Sequence, residues 1–496
     1  MKRFQLIFVI VVTALLLLPF VGMAWTRGDT TTENREPAPF PTVTTAGGAP
    51  NLQALSQFGT WFDDHFAYRN EAVATNAVLR AQLFGVSASN QVLIGDDDWL
   101  FYEGTLADYR GTAPLSERAL FNAAHNLSLF QRFCEAQGAD FLLTICPNKN
   151  TLYPDYMPTN IWPSTQASNL ERLAPYLQEF EVDYLDMQAV LRDADPQRFA
   201  GDGLQGLDAW YFARDTHWNE PGAWVGYQAL AERLGLPTSA LPSGTGAQDW
   251  SERTDHIGDL DAMLYGMATT PEADWYLSGV NDGTGLAGGS WSYTGEQSDV
   301  TADRSVTEGA GGARLVVYRD SFGNALLPYL ATATDTAVFT KLIPYNALEV
   351  SDLDASLVLV ERAERHLDYF ATTAPIVPCP SVALDLADLA DATGVAGARD
   401  TSTLEKGENG PLVTFSGVVA PELLSTRSHI YVGILDAQGT EVVFEALTTS
   451  PAETGADNGY LVYLSSQAIP EGMYTVTVYV ETDSGLVVAQ SDSYKR

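Results

Sequence analysis

The apolar and polar positions of residues 51–390 follow two periods in turn. Helical spacing predicts helices at about 115–137, 167–179 and 221–234, and short runs of apolar residues predict strands at 140–146, 182–187, 315–318, 337–343 and 355–360. Helices that alternate with short apolar strands are typical of a parallel sheet covered by helices. The pattern therefore predicts an α/β domain over residues 51–390.

The pattern becomes purely β after a stretch of small and polar residues at 391–410. Residues 411–496 contain short apolar runs separated by turns such as Asp436-Ala437-Gln438-Gly439. Strands at this spacing predict a small all-β sandwich domain. Such a module can bind glycans or proteins, or brace an enzyme domain, and the sequence leaves these roles open.

One interval, at about 238–312, does not fit the alternation of helices and strands. It is rich in Gly, Ser and Thr, with interspersed Trp and Tyr residues. Two interpretations remain open. The interval is either an insertion that forms part of a substrate cleft, or a long loop that carries a β-hairpin.

The first 26 residues contain a hydrophobic segment, Leu6 to Trp25, which follows Lys2 and Arg3. About twenty apolar residues suffice to cross a bilayer, and the basic residues favour a cytoplasmic N-terminus. We expect an uncleaved membrane anchor with an extracytoplasmic body. A secretory signal cleaved near Ala24 is the alternative. Residues 27–50, rich in Thr and Pro, are predicted to form a stalk.

The charge balance narrows the possible partners. The chain has 63 acidic and 27 basic residues, a formal net charge of −36. Such a surface disfavours nucleic acid and anionic lipid headgroups. It is compatible with an exported protein that handles a neutral or cationic polymer.

Neither a metal site nor a cofactor is predicted. Asp96-Asp97-Asp98 lies between two short apolar runs, and the later oxygen ligands of a calcium loop are missing, so we expect a hairpin turn there. The three cysteines, Cys134, Cys146 and Cys379, make no disulfide framework, and at most one bridge could form.

A candidate nucleophile lies between a predicted strand and a predicted helix. The apolar run 315–318 breaks at Arg319-Asp320-Ser321-Phe322-Gly323, and a helical pattern follows. A strand, a tight turn that carries serine and a helix start can present a nucleophile beside free backbone N–H groups. An Asp-Ser pair at a helix start is also an ordinary cap.

A candidate base lies about a hundred residues before this serine. Asp215 and His217 are two apart in a probable turn, so the carboxylate can orient the imidazole. His65 and His366 also follow a carboxylate by two positions, but both lie in helix-like sequence, where such residues do not face each other. A capped turn that opens the next helix is compatible with the catalytic interpretation.

Four motifs together resemble the AlgX/AlgJ-type SGNH-hydrolase-like family: Trp99-Leu100-Phe101-Tyr102, Pro147-Asn148-Lys149, Asp215-Thr216-His217-Trp218 and Arg319-Asp320-Ser321-Phe322. The segment Glu33-Asn34-Arg35 and the prolines after it add to the likeness. Members named for an Asp-His-His-Trp motif are close relatives, although Thr216 stands where that name has its first His. The resemblance covers roughly residues 30–370.

The resemblance implies an SGNH-hydrolase-like sheet whose catalytic blocks are circularly permuted, because Asp215 and His217 precede Ser321. It assigns Ser321 as the nucleophile, His217 as the base and Asp215 as the group that orients His217. The best-known relatives add O-acetyl groups to exported polysaccharides outside the membrane. They work with a multipass membrane O-acyltransferase that supplies the acetyl group.

The resemblance leaves the oxyanion donors open. The strand that ends at Val360 corresponds to one that usually delivers Gly-x-Asn-Asp, whereas this chain has Glu361-Arg362 there. We hypothesise that Arg362 or Arg365 stabilises the oxyanion together with the Ser321 backbone N–H. A structural ion pair with Glu361 is the alternative. Further candidates for substrate binding are Trp218, Asn148 and Lys149.

Three functions are compatible with these motifs. The leading one is an extracytoplasmic O-acetyltransferase that acts on a polysaccharide through an acetyl-serine. An esterase could use the same three residues, because acceptor binding and water exclusion decide between transfer and hydrolysis. The third is a non-catalytic glycan-binding scaffold that uses the C-terminal domain.

Overall fold

The computed structural model describes residues 2–26, 36–45, 47–197, 204, 207–237, 250–277, 280, 291–295, 299–384, 386, 390–391, 402–451 and 456–496. The motif Glu33-Asn34-Arg35 lies outside the described residues, as do parts of the predicted stalk, insertion and linker.

The α-helices are Lys2–Gly22, Ala54–His65, Arg69–Phe84, Leu106–Tyr109, Glu117–Ala136, Lys149–Leu152, Asn169–Glu179, Met187–Asp193, Glu220–Leu234, Asp259–Tyr265, Gly323–Ala333, Leu348–Leu353 and Asp368–Thr372. Short 3₁₀ helices lie at Glu103–Thr105, Pro154–Tyr156, Glu364–His366 and Pro421–Leu423.

The strands, in chain order, are β1 (Val92–Ile94), β2 (Leu100–Tyr102), β3 (Asp140–Cys146), β4 (Tyr184–Leu185), β5 (Trp250–His256), β6 (Glu272–Leu277), β7 (Ser292–Thr294), β8 (Arg304–Glu308), β9 (Arg314–Tyr318), β10 (Thr336–Thr340), β11 (Leu357–Ala363), β12 (Ser381–Val382), β13 (Ala390–Asp391), β14 (Glu405–Asn409), β15 (Leu412–Val418), β16 (Ile430–Leu435), β17 (Glu441–Glu445), β18 (Leu447–Thr449), β19 (Gly459–Ser465), β20 (Met473–Thr482) and β21 (Gly485–Lys495).

The central sheet has the strand order β4-β3-β11-β9-β10-β8-β7. The first five strands in this order are parallel, as the alternation of helices and strands predicts. The last two are antiparallel additions that come from the predicted insertion. The insertion is therefore more than a loop, because it extends the sheet at one edge.

Three neighbouring strands bring the candidate residues to one edge of this sheet. Strands β3, β11 and β9 are adjacent and parallel, so their carboxyl ends meet. Asn148 and Lys149 follow β3, Ser321 follows β9, and Arg365 follows β11. This edge is where open parallel sheets bind their ligands.

Local capping explains where two predicted elements differ from the observed ones. The strand predicted at 182–187 is only Tyr184–Leu185, because the Asp186 side chain accepts the Ala189 N–H at 3.0 Å and starts a helix. The helix predicted from 167 begins at Asn169, since Ser168 and Glu171 form a capping box. The hairpin predicted around Asp96-Asp97-Asp98 is confirmed, with β1 and β2 antiparallel.

The C-terminal region contains two facing sheets, of strand orders β12-β17-β16-β20-β21-β13 and β14-β15-β19-β18. The predicted β-sandwich is confirmed. Its borders differ from the prediction, since β12 and β13 join it from the region assigned to the α/β domain and the linker, and β14 lies inside the predicted linker.

The N-terminal helix is long and apolar enough to cross a membrane by length and composition, over Arg3–Gly22. Its end contacts the next helices, where Phe20 lies 6.5 Å from Phe62 between ring centroids. The Ala38 N–H donates to Asp64 at 2.8 Å, so this part of the predicted stalk is attached to the helix Ala54–His65. All three cysteines are buried and free.

The two domains share a continuous interface along the helix Glu117–Ala136. One hydrophobic core contains residues of this helix, of the central sheet and of the sandwich. At this interface the Asn126 side chain pairs with the backbone of β18, as a neighbouring strand would. It donates to the Thr448 carbonyl at 2.7 Å and accepts the Thr448 N–H at 2.9 Å. The edge strand β18 is thereby paired with a side chain of the other domain.

We expect Asn126→Ala to lower the free energy of unfolding by about 2–4 kcal/mol, because two buried backbone groups of Thr448 lose their partners. Chemical denaturation of the full chain in detergent micelles measures this change. Asn76→Ala, at an exposed helix position, is the matched control and should change stability by less than about 0.5 kcal/mol. Equal effects of the two substitutions would contradict the pairing.

Candidate active site

Ser321, His217 and Asp215 form a hydrogen-bonded chain. The Ser321 Oγ lies 2.7 Å from the His217 Nε2, and the His217 Nδ1 lies 2.7 Å from the Asp215 Oδ1. The same carboxylate oxygen accepts the His217 backbone N–H at 2.9 Å. This arrangement fixes the Nδ1–H tautomer of His217 and leaves Nε2 to accept the serine proton.

The serine turn is fixed by the buried carboxylate of Asp320. Its Oδ1 accepts the Phe322 N–H at 3.0 Å, and its Oδ2 accepts the Ala363 N–H at 2.9 Å, at the end of β11. Burial raises the pKa of Asp320, but the charge of Arg365 and these two hydrogen bonds leave it below its ordinary value. Asp320 therefore stays ionised and holds the turn to the neighbouring strand.

Gly323 begins the helix after the nucleophile and has no room for a side chain. A Cβ at this position would lie 2.7 Å from the Arg319 Cδ and 3.0 Å from a Glu361 carboxylate oxygen. Glu361 is fully buried and accepts the Asp320 N–H at 3.2 Å. Burial and the charge of Asp320 raise the pKa of Glu361 to about 8. Glycine lets the helix approach this buried acid closely.

The histidine turn is positioned by the residues that follow it. Asn219 caps the helix Glu220–Leu234 by accepting the Gly222 N–H at 2.9 Å. The Trp218 indole N–H donates to the Phe322 carbonyl at 3.1 Å, and the indole is almost fully buried. This hydrogen bond joins the histidine turn directly to the serine turn.

Lys149 is hydrogen-bonded to the backbone of the same turn. Its Nζ donates to the carbonyls of Phe212, Ala213 and Asp215 at 3.0, 2.9 and 2.7 Å. Burial lowers the pKa of Lys149 to about 7. The hydrogen bonds of the Lys149 Nζ are thus made to the backbone that leads into Asp215. Its place in the fold is structural support rather than substrate contact.

The predicted insertion supplies a second set of partners for Asp215. The His256 Nε2 lies 3.2 Å from the Asp215 Oδ2, and the Asp259 N–H donates to the same oxygen at 3.0 Å. Burial raises the pKa of Asp215, but hydrogen bonds from His217 and His256 bring it well below its ordinary value. Burial lowers the pKa of His256, but its hydrogen bond to Asp215 and the charges of Asp215, Asp274 and Glu272 together offset this, so the pKa is raised.

Sequence reasoning missed His256 because no local pattern marks it. The imidazole is oriented by stacking on Phe212, with ring centroids 3.8 Å apart and planes 10° from parallel. Phe212 precedes Asp215 by three positions, so one segment holds both partners of His256. The only available signal was that the insertion is rich in aromatic and polar residues.

Two cavities meet at Ser321 and His217. The larger, about 900 Å³, is also lined by Thr216, Asp259, Arg365 and His366, by residues 88–91, and by Val73 and Ala77 of the helix Arg69–Phe84. The smaller, about 330 Å³, is also lined by Trp218, Glu220, His256, Asp274, Tyr276 and Phe322. The described part of the insertion lines both cavities, which favours the cleft interpretation.

The two arginines of the oxyanion hypothesis lie in different places. Arg365 lines the larger cavity with Ser321, and its guanidinium lies 5.4 Å from the centroid of the Phe322 ring. Arg362 lines neither of the two cavities that contain Ser321. It donates to the Tyr345 hydroxyl at 3.1 Å and lies over the Tyr369 ring at 4.4 Å. Successive residues of a strand face opposite sides of the sheet. Arg362 therefore points away from the side that Glu361 faces, into the hydrophobic core that contains Tyr345 and Tyr369.

The structure gives Glu361 no ion pair with Arg362 or Arg365, which the alternative supposes. Glu361 faces Asp320, as described above, and Glu364 accepts the Asn148 N–H at 2.7 Å and the Thr151 hydroxyl at 2.8 Å. Asn148 is itself buried and lines a cavity of about 10 Å³ beside Lys149. The structure does not bring the Asn148 side chain to Ser321.

Among the described residues, two groups of side chains have the composition of a metal site. They are Asp215, His217 and Asp259 in the cleft beside Ser321, and His125, His429 and Glu445 at the domain interface. In the second group both imidazoles are hydrogen-bonded to Glu445. In the first, His217 is hydrogen-bonded to Asp215, and the Asp259 carboxylate accepts the Thr216 N–H and hydroxyl. The first group is accounted for by the serine chain, which needs His217 as a free base.

A comparison with protein families matches part of the α/β domain. Residues 92–277 match the model described as SGNH hydrolase-like domain, acetyltransferase AlgX. The resemblance to the AlgX/AlgJ-type family is confirmed. The matched segment contains Asp215 and His217, whereas Ser321 lies beyond it.

The chain also resembles individual proteins. The chain is 28% identical over 210 residues to the probable alginate O-acetylase AlgJ of Pseudomonas syringae pv. tomato, which is 41% of this chain and 49% of the relative. The chain thus spans about half the length of this relative.

Among solved structures, Bacillus cereus PatB1 is 18% identical with a TM-score of 0.39, covering 56% of this chain and 96% of PatB1. The O-acetyltransferase domain of Pseudomonas putida AlgJ is 17% identical with a TM-score of 0.36, covering 56% and 92%.

We expect His256→Ala to lower kcat at least about tenfold, because the Asp215 carboxylate loses one of the hydrogen bonds that position it. The acid limb of the pH–rate profile should move to higher pH, since the pKa of Asp215 rises when one of the hydrogen bonds that lower it is lost. His256→Gln keeps an N–H donor and should recover most of the rate. His65→Ala, on a helix outside both cavities, is the control. An unchanged pH profile in His256→Ala would contradict this positioning role.

Proposed function

We propose that the protein is an extracytoplasmic O-acetyltransferase that acts on a polysaccharide through an acetyl-serine intermediate. The observation that carries this proposal is the hydrogen-bonded chain from Ser321 through His217 to Asp215, at the junction of two cavities. The match to an acetyltransferase family model and the apolar N-terminal helix add support.

The first half-reaction transfers the acetyl group to the serine. His217 Nε2 takes the Ser321 proton as Oγ attacks the acetyl carbonyl carbon, and Asp215 stabilises the imidazolium. The tetrahedral oxyanion collapses with loss of the donor's leaving group, which receives the proton from His217. In the second half-reaction His217 removes the proton of a sugar hydroxyl, whose oxygen attacks the acetyl-serine. The ester bond to Ser321 breaks and its Oγ regains the proton.

The cleft suits a polymeric acceptor, because two cavities, of about 900 and 330 Å³, meet at the same Oγ. We propose that a multipass membrane O-acyltransferase supplies the acetyl group, as the family resemblance implies. Hydrolysis by the same three residues is the second candidate, favoured by the half-buried position of Ser321 in an open cleft.

The direct test compares the full chain with its Ser321→Ala variant in detergent micelles. A chromogenic acetyl ester is the donor, and both acetate release and acetylated oligosaccharide are followed. We expect Ser321→Ala to lose at least about 10³-fold in turnover. Product on the oligosaccharide indicates a transferase, and release to water alone indicates an esterase. Equal turnover by the two proteins would overturn the catalytic proposal.

We further propose that Arg365 stabilises the oxyanion with the Ser321 backbone N–H. Arg365→Ala should lower kcat/KM by about 100-fold with the chromogenic ester, because one preorganised donor is lost. Arg362→Ala is the matched control, since Arg362 lies within β11, three residues before Arg365, but contacts Tyr345 and Tyr369. It should keep kcat/KM within about threefold while it lowers the melting temperature. If Arg365→Ala had wild-type kinetics, the proposed role of Arg365 would be wrong and backbone N–H groups alone would stabilise the oxyanion.

A further inference from the structure

The smaller cavity beside Ser321 combines aromatic rings with carboxylates. Trp218, Tyr276 and Phe322 contribute rings, and Asp274 and Glu220 contribute acidic side chains. A cavity of about 330 Å³ has the size range of pockets that enclose small ligands, and polar groups between apolar walls orient them. It is therefore large enough for one or two sugar residues next to the nucleophile.

Asp274 is the most constrained acid of this cavity. It is 5% exposed, and its Oδ1 accepts the N–H groups of Trp275 at 2.8 Å and Glu220 at 3.3 Å. These backbone hydrogen bonds fix the carboxylate against the cavity wall. Burial raises its pKa to about 6, so it is mainly ionised at neutral pH. Glu220 adds a second acid, which accepts the Tyr329 hydroxyl at 2.8 Å.

The described residues that line this cavity include no lysine or arginine. His217 and His256 both face the Asp215 carboxylate. Arg253 lies 3.8 Å from the centroid of the Tyr276 ring, but it is exposed and outside the lining. A carboxylate on a bound sugar would thus meet acids of the same sign in a partly buried space, where salt screens poorly.

The charge of the whole molecule acts in the same direction. A net charge of −36 repels polyanions over distances of about a Debye length, roughly 8–10 Å at ordinary salt. Alginate, named in the relative from Pseudomonas syringae, is a polymer of uronic acids that carries one carboxylate per residue. The smaller cavity and the net charge of this chain both disfavour such an acceptor.

We propose that the smaller cavity is an acceptor subsite for a non-acidic sugar residue, so that the polysaccharide acetylated by this protein is built from neutral or amino sugars rather than uronic acids. This inference rests on the proposed function, whose acceptor class it specifies. Asp274 accepts hydrogen bonds from the hydroxyl or ammonium groups of that sugar. A uronate at the same position would be repelled.

A binding measurement tests this inference without requiring turnover. The full-length Ser321→Ala protein, in detergent micelles, is titrated with hexasaccharides of glucose, of glucosamine and of mannuronic acid. We expect the two non-acidic hexasaccharides to bind at least tenfold more tightly than the uronate at low salt. Added salt should remove the part of this difference that comes from the exposed surface charge and leave the part that comes from the partly buried acids. Asp274→Asn should narrow the difference at constant salt. Asp352→Asn removes the same charge at an exposed position outside both cavities and should leave it unchanged.

Two results would overturn the inference. One is uronate binding as tight as or tighter than that of the non-acidic hexasaccharides. The other is measurable binding of none of the three. Because binding is measured in a variant without the nucleophile, neither result depends on whether wild-type protein transfers acetyl groups. A protein that fails the turnover test but prefers non-acidic glycans would retain this subsite and lose the catalytic proposal.

Discussion

The arrangement of the cleft depends on one buried carboxylate, that of Asp320. Its two oxygens accept one N–H from the turn that carries Ser321 and one from the end of the adjacent strand β11. A carboxylate that accepts backbone N–H groups in a buried site makes stronger hydrogen bonds than a neutral acceptor would. The position of the Ser321 Oγ is thereby set by the central sheet rather than by the loop alone.

The second constraint is that His217 comes from a segment more than a hundred residues before Ser321. The indole of Trp218 joins the two segments by donating to the Phe322 carbonyl, and Lys149 fixes the backbone before Asp215. The indole N–H of Trp218 and the Nζ of Lys149 are therefore occupied by these hydrogen bonds and do not bind a substrate. Residues that look like ligand contacts in the sequence instead make the two turns of the site rigid relative to each other.

Much of the fold and the three central residues could be predicted because their signals are local. The strand, turn and helix around Ser321 lie within one short segment, and Asp215 is two residues from His217. The position of Arg362 could not be predicted, since a strand alternates its side chains and the pattern does not say which face bears the cleft. The link from Asn126 to Thr448 spans 322 positions, and His256 reaches Asp215 from the insertion. Such contacts depend on tertiary packing.

The edge of the sheet that carries Ser321 contains buried ionisable groups that lower stability and make it depend on pH. Burial raises the pKa of Glu361 to about 8 and of Glu364 to about 7, above the ordinary value of 4.5. Between about pH 4.5 and these values the folded protein binds more protons than the unfolded chain, so this contribution to stability falls as pH rises. Lys149, with a pKa lowered to about 7, contributes in the opposite sense, because from about pH 7 to 10.5 the unfolded chain binds the extra proton. Buried acids that weaken the fold at neutral pH are found where function requires charge, and here they converge on the turn that presents Ser321.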